Sequence, residues 1–247
     1  MNLVDILCPS SALFLDFDGT LVDLAPQPEA VAVPPKLVQT LVDLSRYLGG
    51  ALALISGRPI AQIDQFLQPL RLPAAGVHGA ERRSFDGEIT LAHTHPLEHV
   101  EAVATALAAQ HPALRVEIKR GSLALHYRQA PELEALCLDA MRGAVEQSPG
   151  LTLLRGKMVA EAKPGGASKG HAIEAFMHEP PFSGRSPVFI GDDATDEVGF
   201  ATVQRLRGLG IKVGEGTSVA WQRLESPDAL RDQLLTAVAV KAGKVNG

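Results

Sequence analysis

Leu13-Phe14-Leu15-Asp16-Phe17-Asp18-Gly19-Thr20 decides how the chain is read. The apolar run Ala12–Leu15 ends in two carboxylates two residues apart. A run with no polar alternation is the pattern of a parallel strand covered on both faces. In an open α/β sheet, ligands bind at the carboxyl ends of such strands. Two close carboxylates repel, and one takes up a proton unless a cation lies between them. Mg²⁺ suits the pair, because it prefers hard oxygens and needs few protein ligands. Calcium loops and turns also use Asp-x-Asp-Gly, but here a strand precedes the pair.

Three further runs read as buried strands: Ala51–Ile55, Pro187–Ile190 and Leu209–Val213. Pro34 and Pro35 can open a helix with Leu37, Leu41, Leu44 and Leu48 as its stripe, ended by Gly49-Gly50. Ser168 can cap a helix to about Met177, and Pro227 a last helix with Leu230, Leu234, Leu235 and Val238 inward. Strand alternating with helix predicts a doubly wound, Rossmann-like parallel sheet. Residues 81–162 read differently. Helices Leu97–Gln110 and Pro131–Gln147 are each followed by two strands joined by a tight turn, at Arg120-Gly121 and Arg155-Gly156. The expectation is an α/β core of residues 1–80 and 163–247 and an inserted, smaller α+β cap of residues 81–162. Hinges are expected at Gly79 and near Lys163-Pro164-Gly165.

Three more segments carry candidate chemistry. In Gly191-Asp192-Asp193-Ala194-Thr195-Asp196-Glu197 a strand again ends in acids, and Asp192 and Asp196 at i, i+4 can face one site. A helix cap needs fewer acids than this. Ser56-Gly57-Arg58-Pro59 follows a strand and opens a helix, which can form an anion cradle. Lys169, beside Gly165-Gly166-Ala167-Ser168 at a helix start, opposes the helix dipole and makes sense if it must meet a phosphate.

Together these segments resemble the haloacid dehalogenase (HAD) superfamily of phosphohydrolases, in the order Asp-x-Asp, Ser, Lys, Gly-Asp-Asp. The resemblance implies Asp16 as nucleophile and Asp18 as general acid and base. It implies Mg²⁺ held by Asp16, Asp192 and the Asp18 carbonyl, with Asp193 and Asp196 supporting, and Ser56 and Lys169 holding the phosphoryl oxygens. Gly76-Val77-His78-Gly79-Ala80-Glu81-Arg82-Arg83, Leu125-His126-Tyr127-Arg128, Lys157 through Glu161 and Gly191–Glu197 narrow it further. From about Leu13 to Leu235 they resemble the bacterial trehalose-6-phosphate phosphatases. That implies hydrolysis of trehalose 6-phosphate to trehalose and phosphate through an aspartyl-phosphate. Gly19, Thr20, Gly57, Arg58, His78, Glu81, Arg82, Lys157 and Glu161 are then expected at the substrate, with Glu81, Lys157 and Glu161 on the distal glucose. In a strand, Lys157, Val159 and Glu161 would share one face, and Met158, Ala160 and Ala162 the other. The alternatives are a phosphatase for sucrose or hexose phosphate, a phosphate-binding or signalling module, and a phosphate-transferring enzyme.

Composition narrows the partners. Of 247 residues, 46% are hydrophobic, 21% charged and 4% aromatic, with a net charge of −5. That is globular, and a mildly acidic chain is a poor match for nucleic acid or an anionic membrane. The excess equals in number the five acids Asp16, Asp18, Asp192, Asp193 and Asp196. Cys8 and Cys137 make no disulfide framework, and neither a signal peptide nor a membrane span is read. A cytoplasmic monomer acting on a small sugar phosphate is expected. His93, His95 and His99 cluster without a second set of ligands, so no metal site is expected there. Trp221 is expected in the core or an interface.

Overall fold

The computed structural model describes residues 2–25, 27, 30–91, 96–119 and 121–245. In chain order its elements are α1 (Leu3–Ile6), β1 (Ser11–Leu15), α2 (Leu37–Tyr47), β2 (Leu52–Ile55), α3 (Ile60–Leu67), β3 (Ala74–Gly76), β4 (Glu81–Arg83) and β5 (Ile89–Leu91). There follow α4 (Glu98–Gln110), β6 (Arg115–Lys119), β7 (Ser122–His126), α5 (Glu134–Glu146), β8 (Leu151–Gly156) and β9 (Val159–Pro164). The chain ends with α6 (Lys169–Met177), β10 (Ser186–Gly191), α7 (Glu197–Arg205), β11 (Leu209–Val213), β12 (Gln222–Leu224) and α8 (Pro227–Val245). Two compact units result: Met1–Thr90 with Ser168–Gly247, and Leu91–Ala167.

The larger unit holds an eight-stranded sheet in the order β12-β11-β10-β1-β2-β3-β4-β5. From β12 to β3 the pairings are parallel, with Leu15 beside both Ile190 and Leu54. The strands are buried on both faces, as their unbroken apolar runs require. Leu13 and Leu15 join a Leu/Ile/Val cluster with Leu37, Leu41, Leu44 and Leu48 of the α2 region. Ala12 and Phe14 join a second cluster on the other face, with Phe176, Phe182, Phe189 and Phe200. In α8, Leu230, Leu234 and Ala237 are buried, but Leu235 is exposed, contrary to expectation. The 3.6-residue period puts positions 230, 234 and 237 on one stripe and rotates 235 off it. Trp221, expected in the core or an interface, is not in the core: it is 63% exposed, because it precedes the edge strand β12 rather than a covered one.

The smaller unit is a four-stranded antiparallel sheet, β6-β7-β9-β8. One face packs on α4 and α5 through Val100, Ala104, Leu123, Leu125, Cys137, Met141, Ala160 and Ala162. The boundaries read at 81 and 162 both fall on strands. β4 begins at Glu81 and pairs antiparallel with β3, which keeps it in the large sheet, and β9 continues through Lys163 and Pro164. Gly79 likewise sits inside the larger unit; a Cβ there would meet the Ser168 carbonyl oxygen at 2.6 Å. His93, His95 and Arg120 lie outside the described residues. Among the described residues no helix is long and apolar enough to cross a membrane.

Candidate active site

β10, β1 and β2 are adjacent and parallel, so their carboxyl ends lie side by side. Asp192, Asp16 and Ser56 are the first residues beyond those three ends. The backbone is tied down at each: the Asp16 N–H donates to the Ile190 carbonyl at 2.9 Å, and the Ser56 N–H to the Ala75 carbonyl at 2.8 Å. Thr20, fully buried, donates its hydroxyl between Asp192 Oδ1 (3.2 Å) and Asp16 Oδ2 (3.4 Å).

Lys169 arrives from another element. Ser168 starts α6 by accepting the His171 N–H at 3.1 Å, which sets the helix N-terminus against this site. The buried Lys169 Nζ then donates to Asp16 Oδ1 at 2.9 Å and Asp196 Oδ1 at 2.7 Å. The other Asp196 oxygen accepts the N–H groups of Asp192 and Asp193, each at 3.0 Å. Asp193 Oδ1 accepts the Thr195 N–H and hydroxyl at 2.7 and 2.6 Å. Asp193 and Asp196 thus form a capping box on the turn leading into α7. Their hydrogen bonds fix the loop that carries Asp192.

Asp16, Asp192 and Asp196 can each present an oxygen within 4.8 Å of the others. The donor set fits a small divalent cation: all hard oxygens, few in number, at a sheet's carboxyl edge. The electrostatics point the same way. Burial pushes Asp16 up to about 7, opposed by Lys169 and reinforced by Asp192 and Asp193. Burial and the Asp193 and Asp196 charges push Asp192 up to about 6. Asp196 is also raised by burial, against the pull of Lys169. Burial works to raise Asp193 too, but Lys169 and the Thr195 bonds hold it below the usual carboxylate range. One lysine among these carboxylates leaves a deficit of positive charge that a cation would fill. Gly19 is obligatory here: its φ is +75°, and a Cβ would lie 2.3 Å from Asp192 Oδ2.

Asp18 turns its carboxylate to Arg58, with Nε–Oδ2 at 2.5 Å and Nη2–Oδ1 at 2.6 Å. The Arg58 N–H donates to Ser56 Oγ at 3.1 Å, which leaves the serine O–H to donate elsewhere. Beyond β3 the chain runs through three left-handed residues, Val77, His78 and Gly79, at φ 49°, 53° and 100°. Such strain at a β-branched residue persists only where the surroundings enforce it. Here the Val77 and His78 N–H groups bond the Arg58 and Ser56 carbonyls, both at 3.0 Å, and hold the Ser56–Arg58 loop. The His78 ring packs where a Cβ on Gly57 would be, 2.6 Å from it.

Several expected substrate residues have other partners in the structure. Glu81 Oε2 accepts the Ile60 N–H at 3.0 Å, occupying the N-terminus of α3. Arg82 bonds Glu179 at 2.5 Å and lies over the Phe176 ring at 5.1 Å. Lys157 and Met158 are not on strand faces but form the two-residue turn between β8 and β9. Met158 takes φ +62° there and is exposed rather than packed with Ala160 and Ala162. Glu161 is buried on β9, accepting from Ser122 Oγ at 2.8 Å and Lys119 Nζ at 3.5 Å. Lys119 and Ser122 were missed because their pairing crosses from the β6–β7 hairpin to β9. Lys212 was missed too. It is buried in β11 and its ammonium bonds the Asp192 carbonyl. Its signal was a single lysine inside the apolar run Leu209–Val213.

The family model for trehalose-phosphatase matches residues 14–230. The chain belongs to the trehalose-phosphatase family. Membership makes it an enzyme, a phosphoric monoester hydrolase. The trehalose-6-phosphate phosphatase of Escherichia coli (strain K12) is 45% identical over 225 residues, covering 88% of this chain and 83% of that protein. Among solved structures, the C-terminal domain of C. albicans trehalose-6-phosphate phosphatase has a TM-score of 0.84 at 20% identity, covering 94% of this chain and 93% of that one. A phosphatase of the haloalkanoate (HAD) superfamily from Bacteroides thetaiotaomicron has a TM-score of 0.65 at 15% identity, covering 94% and 95%. The fold is therefore the HAD-type α/β fold, a Rossmann-like core plus cap.

Proposed function

We propose that the chain hydrolyses trehalose 6-phosphate to trehalose and inorganic phosphate, with Mg²⁺ and through an aspartyl-phosphate on Asp16. The observation that carries this is the cluster of Asp16, Asp192 and Asp196, with Lys169 bridging Asp16 and Asp196, set beside Ser56 at three adjacent strand ends. The family match supplies the substrate. Asp16 and Asp192, with the Asp18 carbonyl, would hold Mg²⁺. When bound, the ion offsets the charge of the carboxylates and the phosphoryl group, so that an anion can approach an anion.

Asp16 attacks phosphorus in line, and the bond from phosphorus to the sugar's C6 oxygen breaks. Asp18 gives that oxygen its proton, so trehalose leaves neutral. Asp18 then takes a proton from the water that attacks the aspartyl-phosphate, which returns Asp16 and releases phosphate. Lys169 has three N–H donors, two of them on Asp16 and Asp196. The third, with the Ser56 hydroxyl, would hold the phosphoryl oxygens and meet charge as it develops. Asp193 and Asp196 keep the Asp192 loop in place. The smaller unit would act as the specificity cap, with Lys157 and Glu161 reading sugar hydroxyls. A site built to pair with hydroxyls rejects esters that leave its groups unpaired.

Phosphate release from a panel of trehalose, sucrose and hexose phosphates, with Mg²⁺ or EDTA, tests the reading. A strong preference for trehalose 6-phosphate, lost in EDTA and restored by Mg²⁺, is expected. Equal rates on glucose 6-phosphate would refute the specificity, and full activity in EDTA would refute the metal.

A further inference from the structure

Arg58 and Asp18 form a bidentate pair, Nε–Oδ2 at 2.5 Å and Nη2–Oδ1 at 2.6 Å, that the chemistry above leaves without a role. The arginine is set in a slot. Its guanidinium carbon lies 5.0 Å from the Phe66 ring centroid and 5.9 Å from that of Phe17. Its backbone is held on both sides, the N–H by Ser56 Oγ and the carbonyl by the Val77 N–H. Only 8% of the residue is exposed. An arginine fixed behind by aromatic rings presents its fork in one plane, and a fork–carboxylate pair sets both the distance and the tilt of the carboxylate. Each Asp18 oxygen keeps a second lone pair for the proton it must carry.

Resting on the reading of Asp18 as the acid–base group, we propose that Arg58 is a positioning residue for Asp18: it orients that carboxylate towards the leaving oxygen and is not itself the phosphoryl anchor. Lys169 and Ser56 supply that anchor. The strained turn Val77–Gly79 then has a purpose, since its N–H groups hold the loop from which Arg58 projects. Phe66 of α3 and Phe17, which lies between the two aspartates, complete the slot.

The test uses leaving groups that differ in their need for a proton. Trehalose needs one from a general acid, whereas p-nitrophenolate leaves unaided. Release of each would be followed under single-turnover conditions with Mg²⁺ in the parent enzyme and in Arg58→Lys, Arg58→Gln and Asp18→Asn. Both Arg58 variants should slow trehalose release by about 10- to 100-fold, a share of what a general acid contributes. The p-nitrophenol burst and the half-saturating substrate concentrations should stay within about threefold of the parent, because no ground-state contact to phosphate is lost. Arg58→Lys keeps a cation over Phe66, so it carries the test if Arg58→Gln does not fold. Equal slowing of both esters, or an effect confined to half-saturation, would make Arg58 a phosphoryl contact and overturn the proposal. Asp18→Asn separates the two levels. If it is selective for trehalose release while the Arg58 variants are not, the positioning role alone fails. If it slows both esters alike, the acid–base reading fails and takes the positioning role with it.

Discussion

At the scale of single residues, the site is a charge problem solved by placement. Four aspartates crowd around Lys169, and burial pushes three of them, Asp16, Asp192 and Asp196, above the usual carboxylate range. Asp16→Asn removes the attacking oxygen while keeping the shape. Turnover should fall about 10³-fold or more, as when one member of a catalytic unit is lost, with an unchanged circular dichroism spectrum; residual activity near the parent would exclude Asp16 as nucleophile. Metal and proton should also compete. Asp16 near 7 and Asp192 near 6 are partly protonated in the metal-free protein at pH 6, and a bound cation must displace those protons. Mg²⁺ affinity measured by calorimetry should therefore rise as pH goes from about 5.5 to 8 and level off above it. The same shifts have a stability consequence of definite sign. A folded carboxyl raised above its unfolded value of 3.8 makes the folded state bind more protons, so in EDTA stability falls as pH rises towards 7. Mg²⁺ should remove that slope in thermal melts.

At the scale of elements, the site depends on where helices and turns start. Ser168 caps α6 and so delivers Lys169. Ser168→Ala should cost about 1 kcal/mol in denaturant unfolding and lower turnover, because the helix start that aims Lys169 frays. Gly79 packs its α-carbon against the Ser168 carbonyl at φ +100°. Gly79→Ala should then cost about 1–3 kcal/mol. The control is Gly143→Ala in α5, where a Cβ meets nothing within 4 Å; it should be neutral or stabilising by up to about 1 kcal/mol. Similar losses for both would show that the close approach at Gly79 does not matter. Glu81 belongs to this scale too. Its carboxylate caps α3, the helix whose start follows Arg58.

At the scale of the whole molecule, the proposed function gives the two units different tasks. The larger unit holds every residue proposed for phosphoryl transfer, and the smaller holds the buried Glu161 with Ser122 and Lys119. Glu161→Ala should reduce kcat/KM for trehalose 6-phosphate by about 10- to 100-fold, the worth of one or two charged hydrogen bonds, while p-nitrophenyl phosphate hydrolysis is retained. Equal losses on both would place Glu161 outside substrate discrimination. Much of this architecture was legible in the chain. Runs such as Leu13–Leu15 and Val188–Ile190 could only be two-faced strands, and the acids ending them had to meet at one edge of a parallel sheet. Local patterns also set the cap on α6, the α2 stripe and the antiparallel character of the second unit. What stayed hidden was pairing over long sequence separation. The chain pattern did not say that Glu81 would turn to Ile60, that Lys212 would reach the Asp192 carbonyl, or that Arg58 would grip Asp18. Nor did it show that β4 would stay with the large sheet, since a three-residue strand declares its partner only by hydrogen bonding to it. Periodicity and turn chemistry act over a few residues and are written in order along the chain. The partner of a buried charge is chosen by which elements the fold brings alongside it, and that is decided only in three dimensions.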